Sequence, residues 1–107
     1  MPEIKDIRPS NAQGKRYVAL MDDGKRFHFG LSNPRIGTYI DHKDQTLRKN
    51  YLARHLANNK ERQLIESLTP SAALFSAYLL WSYPDEKITT LEENVALLNR
   101  LFKNHGK

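Results

Sequence analysis

The stretch RYVALMDDGKRFHFG, residues 16–30, constrains the fold more than any other part of the chain. Asp-Gly between two apolar, alternating runs is a strong short-range signal for a β-hairpin. With Asp23-Gly24 as a two-residue type I′ turn, Leu20 faces Phe27 and Val18 faces Phe29, which gives one apolar face. The other face then pairs Met21 with Arg26, Ala19 with His28 and Tyr17 with Gly30. A hairpin alone is marginal in water, so other elements must cover that face. Ile4 to Ile7 reads as an N-terminal edge strand and Thr38–Ile40 as a short third strand. Between them, LSNPRIG reads as a loop, because Pro34 cannot donate to a ladder and Gly37 accepts a turn.

At Asp44 the period changes from two to 3.6. Asp44 is placed to cap a helix, its carboxylate meeting free amides and the positive end of the dipole. Over residues 45–58, Leu47, Tyr51, Leu52 and Leu56 share one arc, with Arg48 and His55 in the middle of it. A second piece, about 61–68, turns Leu64, Ile65 and Leu68 inward, either as a continuation or after a break at Asn58-Asn59. Thr69 as N-cap and Pro70 at the first helical position predict a helix over about 70–82. It is apolar nearly all round and therefore central, and Tyr83-Pro84 stops it. Thr90 and Glu93 form a capping box, followed by Leu91, Val95, Leu98 and Phe102 at helical spacing and by Gly106 near a C-cap. The expected architecture is α+β: a small antiparallel sheet built on the hairpin, packed against three to four helices. Residues 1–107 make one domain, β-rich through 43 and helical from 44.

The chain has no cysteine, which excludes disulfides and thiolate metal sites. No signal peptide is expected of MPEIKDIRPS, and AALFSAYLLW is too short to span a bilayer. The expectation is a protein that is not secreted and not in a membrane. Net charge is +5, and it is unevenly spread: residues 1–60 carry 12 Lys and Arg against 6 Asp and Glu. Such asymmetry points to a polyanionic partner. The candidate cations of one region are Lys43, just before the first helix, and Lys49 and Arg54 on it, with Asn50 beside them. Lys25, Arg26 and Arg35 extend the patch if the hairpin lies alongside, and Tyr39 is a ring on which a base can stack. His42 and His55 fall in the same region. Arg48, on the inner arc, reads either as a clamp joining sheet to helix, held by Asp41, Asp44 or a hairpin carbonyl, or as part of an anion pocket.

Reaction centres find less support. Asp41 and His42, adjacent in an extended segment, point to opposite faces. No metal motif, serine elbow or phosphate loop is present. A metal-dependent hydrolase would have to draw on Asp41, Asp44 and Glu61, and no catalytic residue or cofactor is assigned. If Tyr78, Trp81 and Tyr83 reach the surface, they are aromatics enough to anchor a protein partner or an oligomer.

The segments GKRFHFG, YIDHKD, RKNYLARH and SAALFSAYLLW, in this order, resemble a family of small uncharacterised proteins of large nucleocytoplasmic DNA viruses of the mimivirus, iridovirus and phycodnavirus kind. The resemblance covers about Lys15 to Trp81, and a terminal helix like Leu91–Phe102 commonly follows. It marks Phe29, Gly30, Tyr39, His42 and Asp44, and further along Tyr51, Arg54, His55, Leu80 and Trp81. The segment NNKERQLIESL is longer here than in that pattern. The resemblance implies an α+β domain in a viral setting and supplies no mechanism. Residues and resemblance together predict a basic, non-enzymatic protein of the virion or of the infected cell's cytoplasm or nucleus. It contacts DNA or RNA phosphates through residues 25–60 without sequence preference. The alternative is a minor capsid protein that works by protein contacts.

Overall fold

A computed structural model of the chain describes residues 2–31, 37–83 and 85–105. Pro34, Arg35, the stop at Pro84 and the cap at Gly106 lie outside those residues. The fold is α+β, a three-stranded antiparallel sheet followed by helices. Strands β1 (Ile4–Pro9), β2 (Lys15–Met21) and β3 (Arg26–Leu31) pair in the order β1-β2-β3. The N-terminal edge strand is therefore present, and it runs two residues beyond Ile7.

The hairpin forms in a different register from the one the Asp-Gly pair suggests. Ala19 pairs with Phe27 and Tyr17 with Phe29, one residue away from the type I′ pairing. The loop holds three residues, Asp22, Asp23 and Gly24. Met21 N–H donates to Lys25 O at 3.0 Å, and Gly24 N–H donates to Met21 O at 3.1 Å. Gly24 alone takes a positive φ, +88°, as the bulge residue of such a loop does. Because side chains alternate, a slip of one residue turns β2 over. Ala19 and Met21 face the core with Phe27 and Phe29, while Val18 lies across from His28 on the opposite face and outside the main core cluster.

The segment after the loop is helical, not a third strand. Helix α1 (Tyr39–His42) is one turn long, and Thr38 starts it. Asp41 reaches back to accept from Thr38 N–H at 2.8 Å, which favours a helical start over an extended one. Helix α2 (Gln45–Leu56) begins as expected: Asp44 Oδ1 accepts from the amides of Thr46 and Leu47 at 2.9 and 3.1 Å. The chain breaks at Asn58, which caps α3 (Asn59–Glu66) through Glu61 N–H.

The apolar segment starts later than Thr69-Pro70. Ser71 is the cap of α4 (Ala72–Phe75), its hydroxyl accepting from Leu74 N–H at 3.2 Å. From Ser76 to Leu80 the chain widens into a π-helical turn, in which Trp81 N–H reaches Ser76 O. A left-handed residue, Ser82 at φ +50°, ends it, and Tyr83 N–H reaches back to Ala77 O at 3.0 Å. Helix α5 (Leu91–His105) follows, with Glu93 N–H donating to Thr90 Oγ1 at 3.3 Å. Sheet and helices share one core, in which Phe29, Leu74, Phe75, Leu79 and Leu98 are completely buried. Phe75 holds both inward rings of β3, with centroids 5.6 Å from Phe27 and 5.7 Å from Phe29.

Candidate functional site

Residues of α2, of the π-helical turn and of the sheet line one groove of about 680 Å³. The start of β2 and the end of β3 form one wall through Lys15 and Gly30, and α2 forms the other through Leu47, Asn50, Tyr51 and Arg54. Gly30 sits at φ +79° with Leu80 so close that a Cβ would come within 2.9 Å of Leu80 Cδ1. The missing side chain lets the sheet end lie against the apolar helix. A π-helical turn beside a concave site is a frequent feature of functional regions.

Three rings run through this wall as a stack. Tyr51 lies 4.1 Å from Trp81, with planes 8° apart, and 4.1 Å from His55, with planes 32° apart. Two rings with centroids that close to Tyr51 must occupy its opposite faces, Trp81 parallel and His55 tilted, so Tyr51 is the middle member. At the Trp81 end His42 closes the stack edge-on, 5.5 Å away. Burial pushes the Tyr51 phenol up to about 12, and the nearby Glu61 charge adds to the effect. His55 Nδ1 lies 2.7 Å from Glu61 Oε2. A carboxylate only accepts, so Nδ1 is the donor in this contact.

The residues expected to form one basic patch are distributed over several surfaces. Arg54 and Asn50 face the groove, and Arg54 makes no ion pair among the described residues. Lys49 is exposed but lies about 140° round α2 from Arg54, at 100° per residue. Lys43 is exposed between α1 and α2. Lys25 and Arg26 sit at the hairpin tip, roughly 20 Å from Lys15 by strand rise, so they do not join the groove. Lys25 lies 3.9 Å from Asp23. Arg35 falls outside the described residues.

Four residues have structural employment instead. Tyr39 is 2% exposed and donates its hydroxyl to Glu86 O at 2.6 Å, so no base can stack on it. His42 turns inward: Nδ1 accepts from Asp44 N–H at 2.9 Å, and Nε2 is buried without a hydrogen-bond partner. Arg48 is a clamp, but not to the sheet. Its Nε donates to Trp81 O at 2.9 Å and one terminal nitrogen donates to Ser82 O at 2.8 Å, so it caps the C-terminal end of the apolar helix. Asp41, proposed as its partner, is taken by Arg16 through two bonds of 2.8 and 2.9 Å. The Arg16 guanidinium holds the Asp41 carboxyl well below the usual carboxylate range, against burial and with help from the Thr38 amide and hydroxyl.

The aromatic partner surface does not form either. Tyr78 and Trp81 are 7% and 8% exposed, and only Tyr83 is half-buried. The three carboxylates of the hydrolase alternative are engaged separately: Asp41 with Arg16, Asp44 at the α2 cap, Glu61 with His55. Among the described residues no cluster of three or more His, Asp or Glu converges as metal ligands.

Two participants escaped sequence reasoning. Lys15 lines the groove together with residues of α2, a juxtaposition that no local pattern shows. Glu61 was read only as a possible metal ligand, yet it follows the Asn58 cap at the position that turns back toward His55.

The fold and groove define a small α+β domain with an aromatic-walled concavity between a sheet end and a helix face. Residues 5–55 are similar to a protein family described as a family of unknown function, DUF5754, which accounts for less than half of the 107-residue chain. The matched part includes β1 from Lys5, all of β2 and β3 and nearly all of α2, and it ends at His55. No curated protein and no solved structure matches the chain. No helix among the described residues is long and apolar enough to cross a membrane.

Proposed function

We propose that the chain is a small, basic, non-enzymatic protein that binds the phosphate backbone of nucleic acid, with the contact centred on the groove. The observation that carries this reading is the pair Lys15 and Arg54. They come from different elements, line the same groove, and make no ion pair among the described residues. Lys5, Arg8, Arg16 and Arg62 each lie beside an acid and contribute less. Arg brings a planar fork suited to phosphate oxygens and Lys a mobile point charge. Lys43 and Lys49 add field around the helix without sharing the groove wall. The resemblance to proteins of large DNA viruses suggests the setting, a virion or an infected cell.

The test is binding of a random-sequence oligonucleotide at several salt concentrations. Affinity is expected to fall log-linearly with salt, by about 0.7–0.9 in slope per phosphate neutralised. Lys15→Ala and Arg54→Ala should each reduce that slope by about 1, while Arg100→Ala on the far helix leaves it unchanged. Binding that ignores salt, or a slope that Arg54→Ala does not alter, contradicts the proposal.

A further inference from the structure

We infer that the groove is a pocket for an unpaired nucleobase, so that the chain prefers single-stranded nucleic acid to duplex. This rests on the phosphate-binding reading above and adds the part of the ligand that enters the groove.

The aromatic stack has one closed end and one open end. At the closed end, Trp81 is 8% exposed and His42 stands edge-on against it. At the open end, the His55 side chain is 32% exposed and lines the groove. The Glu61 carboxylate holds that ring by its edge at 2.7 Å, a contact that does not use the ring's face. A planar heterocycle placed there continues the series Trp81, Tyr51, His55 by one member. Leu47, Leu80 and the methyl groups of Ala72 and Ala73 make the adjoining surface apolar. At about 680 Å³ the groove lies within the range of small-molecule sites, roughly 300–1,000 Å³.

The polar groups match a nucleotide. The Asn50 amide offers a donor and an acceptor side by side, the pattern that base edges present. Lys15 and Arg54 line the same groove and are the cations there for the phosphates on either side of an inserted base. Bases in a duplex have both faces covered, and bringing one out means unstacking it; a single strand offers free faces. Every base has a π-face, so the pocket tolerates sequence.

The experiment compares three ligands of equal length: a random-sequence single strand, its duplex, and an abasic strand that keeps the phosphates and lacks bases. The single strand is expected to bind at least about tenfold more tightly than the other two. His55→Ala should remove most of that advantage and leave abasic binding unchanged. Ala72→Phe, at an exposed position of the groove lining, should do the same by filling the groove. Its far-UV spectrum checks folding independently of the His55–Glu61 contact. Equal affinity for the normal and abasic strands overturns the base pocket and leaves phosphate binding standing. No binding of any of the three overturns both.

Discussion

Replacing Arg48 by Met removes the clamp that joins α2 to the end of the apolar helix, and the size of the effect follows from the geometry. Arg48 makes two well-formed bonds, 2.9 Å to Trp81 O and 2.8 Å to Ser82 O. A third contact, 3.4 Å to Tyr83 O, is too long to count for much. Hydrogen bonds to charged groups contribute about 1.5–3 kcal/mol each, so the two bonds set a range of about 3–6 kcal/mol. Methionine replaces most of the buried alkyl stem, and burying no charge offsets part of the loss, because the Arg48 side chain is only 14% exposed. We expect a net destabilisation of about 3 kcal/mol, a large share of the roughly 5–15 kcal/mol that holds a domain folded. Near the midpoint that corresponds to a fall in Tm of roughly 12–24 °C. Arg48→Lys keeps the charge without the fork and should lie between. Urea unfolding followed by circular dichroism and by the fluorescence of Trp81, the one tryptophan, measures it. Lys49→Met, one residue on and exposed, is the control and should change stability by less than about 0.5 kcal/mol. If Arg48→Met costs no more than that control, the clamp does not hold the helix end and the reasoning fails.

Asp41 is held below its ordinary pKa in the folded chain, chiefly by Arg16, so its contribution is complete above the unfolded value near 4 and is lost as pH falls through the folded one. Asp41→Asn should therefore flatten the stability profile below about pH 5, and a stability curve against pH that keeps its acid limb would contradict this. Gly30→Ala forces a Cβ onto a φ of +79° and against Leu80, and should destabilise by about 1–2 kcal/mol in the same urea assay. A neutral outcome would mean that the sheet end is free to move away from the helix. Burial raises Tyr51 and Tyr78 to about 12, so an ultraviolet titration of the folded protein should show two late phenols, and Tyr51→Phe should remove one of them.

Local chemistry was the legible part of this chain. The Asp44 and Asn58 positions, the Thr90 hydroxyl accepting from Glu93 N–H and the inward arc of α2 can each be read from a few neighbouring residues, and each is present. The hairpin was half legible. The turn is where Asp-Gly puts it, but Asp22-Asp23-Gly24 is also the composition of a three-residue loop closed by a left-handed glycine, and that choice decides which face of β2 is buried. Thr38–Asp41 carried the signature of a helix start that the β-rich neighbourhood concealed. The groove was not legible, for a physical reason. Tyr51 and His55 are one helical turn apart and their contact is local, whereas Trp81 and Lys15 arrive from 30 residues or more away in sequence. The same limit hid the partner of Arg48. An inward arginine predicts that something must satisfy it, while the choice between a nearby carboxylate and the carbonyls of a distant helix end depends on how the helices dock.

The most direct test of the central claim is a map of backbone amide shifts as a random-sequence single strand is titrated into the labelled protein. The account predicts that the largest shifts gather at Lys15, Asn50, Arg54 and His55 and spread to Ala72 and Ala73, which line the same groove. It also predicts that Lys25 and Arg26 at the hairpin tip stay still. Shifts centred on the tip, or scattered over the exposed lysines with the groove silent, would contradict it.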